Sequence, residues 1–396
     1  MNKKSQADRI PSFKVCQRLI NQASSLPTYT FDKCENNCIA YSGAYGQLKD
    51  CSICKCTRTY GFSENTWSFN SPIELLCERW KNVEIADLLQ YRSTYEYQKD
   101  KIKDVWECSY IQMLMKKPIV IDGTTMESKH FEDKRESALA LATDGINIFR
   151  SQSRSCWPLF LIDYLLPPQF RTKKNFAIHI SVISGPLKGK QNFNSFLQPI
   201  VDSLKLLQVG KHVYDSFNKQ YFLYRAHVTH IIGDSPAIHK LMGIKGTNAI
   251  YPCRDCKLKS QKGPKGVHYP CMKTPLEFKS HNTNYCYETL PMRTHPDWLR
   301  TLKELERRND NYNDYGIKYR TPLLDLSSLI FPFSFCIDTM HLILENLVSM
   351  IWNQLRGNCH DVFKDTSIYG NDVISGDTLK QIEKELIVSC VRFRVK

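Results

Sequence analysis

Apolar residues along this chain recur at two different spacings, and the backbone is expected to change where the spacing does. Over 71–95, beginning SPIELLCERWKNVEIADLLQYRS, they return every three or four positions, the mark of an amphipathic helix. Ser71 before Pro72, with Glu74 three residues on, supplies a helix start. From residue 138 the period shortens. ALALAT (138–143) reads as a buried strand, Asp144-Gly145 as a turn dipeptide, and INIF (146–149) as a second strand. NFAIHISVIS (175–184) alternates as a third strand. NSFLQPIVDSLKLLQVG (194–210) is an amphipathic helix closed by glycine. FLYRAHVTHIIG (222–233) is a fourth strand, and it ends at Asp234. The order is therefore strand, strand, strand, helix, strand, an α/β pattern. If the first and fourth strands are neighbours in one sheet, Asp144 and Asp234 emerge at the same edge. Beyond, 270–330 is polar and helix-prone (DWLRTLKELERRND), and an apolar run follows, LIFPFSFCIDTMHLILENLVSMIW.

Composition narrows the class. Hydrophobic residues make up 42% and aromatics 11% of the 396 residues, enough for a globular core. No run approaches the roughly 18 apolar residues of a membrane span, and MNKKSQADRI has no apolar stretch behind it, so no secretory signal is expected. An intracellular chain keeps its thiols reduced, so its 16 cysteines are read as metal ligands before disulfides. The net charge of +14, from 54 Lys+Arg against 40 Asp+Glu, attracts polyanions, and nucleic acid is the foremost. Lys173, Lys174, Lys188, Lys190, Lys257 and Lys259 are candidates for such a path; the structural alternative is a solvated face.

Three constellations carry chemistry. Asp144 and Asp234 at one sheet edge suit a pair of Mg2+ or Mn2+ ions for phosphoryl transfer. The structural alternative makes Asp144-Gly145 a hairpin turn and Asp234 a helix N-cap before Pro236. Cys34-x3-Cys38-x12-Cys51-x2-Cys54 has the spacing of tetrahedral zinc in a small ribbon or knuckle. Cys253-x2-Cys256 is half of a second zinc site; Cys271 and Cys286, or Asp338-x2-His341 at a helix start, are candidates to complete it. A rival reading takes Gly233-Asp234-Ser235 and Asp338-x2-His341 as a serine hydrolase, with Ser235 the nucleophile and His341 its base. Three strands precede that serine, which is not where such a nucleophile block sits, and the cysteine pair goes unexplained.

CENNC…CSIC, TDGINIF, SCWPLFLIDYLLPPQFR, SGPLKGKQNFNSFLQPIVDSLKLL, GDSPAIHKLMGIKGTNAIYPCRDC and FCIDTMHLILENL occur in that order from about residue 30 to the end. Together they resemble the transposases of CACTA (En/Spm-like) DNA elements. The resemblance implies an RNase H-like mixed sheet with three acidic residues, cutting and joining DNA with Mg2+ or Mn2+ in the nucleus. Asp144 would be the first acid and Asp234 the second. Cys253, Cys256, Asp338 and His341 would then belong to a helical, zinc-stabilised insertion before the third. The implied layout is a lead-in (1–30), a zinc-ribbon-like module (31–60), a helical linker (61–130), the catalytic core (131–250), and the insertion with C-terminal helices (251–396). Implied partners are DNA and a second transposase copy or relative; no membrane is implied. The third acid should be a glutamate well beyond His341, whereas Glu345, Glu383 and Glu385 sit in scaffold-like helical pattern. The expectation is therefore a transposase-derived DNA-binding protein that lacks the third acid and is inactive as it stands. The alternative is a non-catalytic zinc protein that binds DNA or assembles with relatives.

Overall fold

The residues Ser137–Thr143 (SALALAT) are all buried, as a run without a polar face requires. They form an inner strand, with a neighbour on each side, of a computed structural model that describes residues 26–98, 101–147, 155–187, 190–246, 249–263, 266–268, 290–308, 315–355 and 378. In chain order its strands are β1 (Thr28–Asp32), β2 (Thr66–Asn70), β3 (Pro118–Ile121), β4 (Thr124–Lys129), β5 (Ser137–Thr143), β6 (Ile146–Asn147) and β7 (Ser155–Asp163). There follow β8 (Ile178–Ser184), β9 (Lys211–Asp215), β10 (Gln220–Tyr224), β11 (Ala226–Ile232), β12 (Gln261–Gly263) and β13 (Gly266–His268).

One 7-stranded mixed sheet runs in the order β1-β2-β8-β7-β5-β11, with β6 also on β7. Its steps are antiparallel until the last, where β11 lies parallel to β5, Ala226 opposite Ser137 and Ile232 opposite Ala142. A parallel neighbour needs a crossover connection. Here it contains the helix Asn194–Val209, whose Phe196, Leu197, Ile200, Val201, Leu204 and Leu207 are buried at helical spacing. Phe196 meets Trp67 of β2 edge-on at 5.3 Å. The outer side of β11 is closed too, because Ile231 donates to Ser334 O and accepts from Cys336 N.

Two expectations from the sequence are corrected. Asp144-Gly145 is not a hairpin turn. Thr143 faces Leu159 and Ile146 faces Cys156, so β5 and β6 keep one register along β7 and form a single interrupted strand. The strand's partner SCWPLFLID is a long strand that the alternation did not reveal. Pro158 stands opposite Asp144 in that register, and proline has no N–H to give the ladder. The run 222–233 is also two strands, since β10 turns back on β9 before Arg225 and only β11 joins the sheet. Residues 148–149 of the expected second strand lie outside the described residues.

Helix signals were read more directly. Ser71 Oγ accepts the Ile73 N–H ahead of the helix Pro72–Arg79, but the helix expected over 71–95 is three short ones, Pro72–Arg79, Val83–Leu88 (capped afresh by Asn82) and Tyr91–Thr94. The polar run near 300 forms the helix His295–Arg308. The chain divides into two units, Met1–Lys257 with Pro291–Cys336, and Leu258–Leu290 with Ile337–Lys396. Among the described residues no helix is long and apolar enough to cross a membrane.

Candidate metal centres

Strands β5 and β8 are both antiparallel to β7, so they run the same way, and β11 runs with them. Thr143, Ser184 and Ile232 therefore end at one edge of the sheet. Asp144 follows β5 directly, and Asp234 follows β11 after one glycine. The strand ends come so close that a Cβ on Gly233 would stand 2.7 Å from Thr143 O. Any other residue at 233 would force them apart.

Both carboxylates are partly buried. Asp234 Oδ1 accepts the Ala237 N–H at 2.7 Å and caps the helix Ser235–Met242, so the structural role foreseen for it is present. Its Oδ2, and the whole Asp144 carboxylate, have no hydrogen-bond or ion-pair partner among the described residues. Unengaged carboxylate oxygens on neighbouring strand ends are the donor set a hard divalent cation takes.

Cations gather around this edge, and the sequence reading missed them. Lys240 is half-buried, with Nζ 3.6 Å from the centroid of the Trp157 ring and 5.5 Å from that of Phe193. Burial and the neighbouring charge of Lys318 outweigh Asp234 and push its ammonium down to about 8. His239 is held below its ordinary value by burial and by Arg254, again against Asp234. Lys240 falls inside the GDSPAIHKLM run, but nothing in its spacing shows that it will lie on an indole. Of the lysines nominated from sequence, Lys173, Lys174, Lys190 and Lys259 are exposed, Lys257 is 4.0 Å from Asp297, and Lys188 lies outside the described residues.

The first cysteine cluster forms between β1 and β2. Two tight turns, closed by the bridges Lys33 with Ala40 and Asp50 with Thr57, bring Cys34, Cys38, Cys51 and Cys54 together with every Sγ within 4.8 Å of the others. Asn37 (φ 57°) and Lys55 (φ 64°) take left-handed backbone next to Cys38 and Cys54, tightening each turn. Cys34, Cys38 and Cys54 are shifted in different directions. Burial pushes Cys34 up to about 11 and Cys38 higher still, with neighbouring sulfurs adding to it. Cys54 resists burial and falls to about 6, because the backbone N–H of Cys56, nearby thiols and the Asn36 amide donate to it. Four cysteine sulfurs this close together are a group that could hold a metal such as zinc, which takes its cysteine ligands as thiolates. Among the described residues this is the group of three or more metal-ligating side chains brought together.

The cluster is fastened to the sheet edge. Asn192 N–H donates to Cys38 O, Leu187 N–H to Asn36 O, and Asn37 Nδ2 to Gly185 O. These bonds fix the loop that leaves β8 and enters the long helix, at the end of the sheet where the two aspartates emerge.

The second cysteine pair lies in the first unit. Asp255 N–H donates to Cys253 Sγ at 3.4 Å, and Arg293 Nε reaches the carbonyls of Cys253 and Cys256 at 3.1 Å. Hydrogen bonding from Cys256 brings the Cys253 thiol down to about 6. Asp338 and His341 belong to the second unit, where Asp338 Oδ2 meets His341 Nδ1 at 2.7 Å. Asp338 Oδ1 takes the N–H groups of Met340 and His341 at the start of the helical turns Met340–Leu347. Glu345 is exposed on those turns, and Ser235 is exposed in the first turn of its helix. Cys271, Cys286, Glu383 and Glu385 lie outside the described residues.

No curated protein matches the chain. A family model described as transposase family tnp2 matches residues 122–268, a span that contains β5, β11, Asp144, Asp234 and the Cys253/Cys256 pair, but not the first cysteine cluster. The part of the chain that carries Asp144 and Asp234 is thus similar to a transposase family.

Proposed function

We propose that this is a transposase-derived DNA-binding protein of the CACTA type, built on an RNase H-like core that holds Mg2+ or Mn2+ between Asp144 and Asp234. The observation that carries the reading is the register of β5 and β11. Ala142 pairs with Ile232 on parallel strands, and each aspartate stands two residues further on. The strand order β8-β7-β5-β11, antiparallel except for the last step, supports the RNase H-like assignment.

The divalent ions, when bound, would stabilise the attacking and leaving oxygens of an in-line displacement at phosphorus. The chain's own part is to hold the carboxylates. Asp234 is fixed by its N-cap bond, with Oδ2 left for a ligand, and Asp144 is fixed by the strand that continues beyond it. The zinc cluster sets the loop after β8, so the face offered to DNA depends on zinc. A third acid is not assigned to any residue here, which makes DNA binding the primary activity and strand cleavage conditional on that acid. The Cys253/Cys256 pair is half of the second zinc site of the proposal, and the nucleus its place of action.

Mn2+ binding followed by electron paramagnetic resonance, alongside nicking of a supercoiled plasmid, tests the acid pair. Asp144→Asn and Asp234→Asn should each weaken Mn2+ binding at least tenfold, the loss of one charged ligand from a two-carboxylate site. Any nicking should vanish with it. Mn2+ bound as tightly by both variants would remove these residues from metal ligation. DNA binding that persists with zinc but without nicking is the outcome favouring a non-catalytic zinc protein.

A further inference from the structure

We propose that Lys240, seconded by Lys318, holds a phosphate of the polynucleotide backbone against the Asp144/Asp234 edge; this rests on the acid-pair reading above. Lys240 sits on the helix that Asp234 caps, and its ammonium lies over the face of Trp157 at 3.6 Å. Trp157 is itself pressed against the residue after Asp144. A Cβ on Gly145 would stand 2.9 Å from Trp157 Cη2, so only glycine lets the indole in. The contacts Gly145–Trp157–Lys240 link a cation, through one indole, to the residue after the first carboxylate, while the helix that bears the lysine is capped by the second.

Neither Lys240 nor Lys318 forms an ion pair among the described residues. A half-buried ammonium ordinarily finds a carboxylate. Here Lys240 stands within electrostatic reach of a second ammonium, Lys318, and of Asp234, a carboxylate already engaged with Ala237 N–H. Adding a dication to the aspartates would raise the local positive charge further. A phosphodiester resolves this, since it presents oxygens both to the ion and to the lysines. Cation–π contact fixes where the ammonium stands without neutralising it, which suits a group that must receive an anion. Lys240 is in this role a positioning residue.

The test uses the full chain, a fluorescent DNA duplex in Ca2+ buffer, and anisotropy between about 50 and 200 mM salt. Lys240→Met keeps the packing on Trp157 and should weaken binding about tenfold while lowering the salt slope by about one. Lys240→Arg should restore both, and Lys318→Gln, at an exposed position, should lower the slope in the same sense. Unchanged affinity and slope in Lys240→Met, or a loss that arginine does not restore, overturns the proposal. A parallel Mn2+ titration separates the two ideas. If Mn2+ binding depends on Asp144 and Asp234 while Lys240→Met leaves DNA binding intact, this inference fails and the acid pair stands. If Mn2+ binding is indifferent to both aspartates, the acid-pair reading is the one that fails.

Discussion

Asp234 Oδ1 caps a helix, and the proposal gives Oδ2, which takes no hydrogen bond among the described residues, a second job as a ligand of the dication. The two can be separated, because asparagine caps a helix about as well as aspartate and binds a dication far less well. Asp234→Asn should therefore unfold in urea within about 0.5 kcal/mol of the parent, while Asp234→Ala should lose about 1 kcal/mol by giving up the cap. Equal, large destabilisation by both would mean that the carboxylate charge itself holds the fold. The same residue shows what a sequence can reveal at this scale. A strand running into Gly-Asp-Ser-Pro announces both a strand end and an N-cap, and both are present. Lys240 carried no such signal, because its role comes from Trp157, 83 positions away in sequence and adjacent only in the fold.

Elements were legible in proportion to how local their cause is. The Cys34, Cys38, Cys51 and Cys54 spacing sufficed, since two tight turns and a short connection bring the sulfurs together without long-range help. Strand β7 was not legible. Its burial alternates along only part of its length, and Pro158 in its middle argues against a central strand. The fold accepts that proline where β5 is already interrupted at Asp144. The cysteine element also makes its own test possible, because Cys56 lies next to the quartet but outside it. Cys38→Ser should abolish the zinc bound by this cluster, as measured by mass spectrometry of the metal, whereas Cys56→Ser should retain it. Structural zinc is worth many kcal/mol to its module, so Cys38→Ser should also speed amide exchange at Leu187 and Asn192, which donate to the module's carbonyls. Zinc retained in Cys38→Ser would take that thiol out of the ligand set.

Across the whole molecule, the buried histidines tie stability to pH. Burial holds His130 and His230 down to about 4, and His227 is lowered by burial against the pull of Glu136. An unfolded histidine takes its proton near pH 6.5. Between about 6.5 and 4 the unfolded chain thus binds protons that the folded chain refuses, so stability present at neutral pH drains away as the pH falls. Glu136 adds to this at the acid end. Burial would raise its carboxyl, but His227 and Arg225 hold it below the usual range, so its contribution is lost only as the pH falls further. His230 is the best probe of the effect, since its ring packs edge-on against Tyr110 at 5.8 Å and Tyr164 at 5.5 Å. Phenylalanine can keep those contacts and cannot titrate. It also forfeits the bond between His230 Nδ1 and Thr229 Oγ1, a loss common to both pH values that cancels in their difference. The parent should lose up to about 2 kcal/mol through this residue between pH 7 and pH 5. The urea midpoint of His230→Phe should accordingly fall less over that interval than the parent's. An identical fall in both proteins would show that His230 accepts its proton without opening the fold, and would place the acid lability in the His130, His227 and Glu136 cluster at the opposite end of β11.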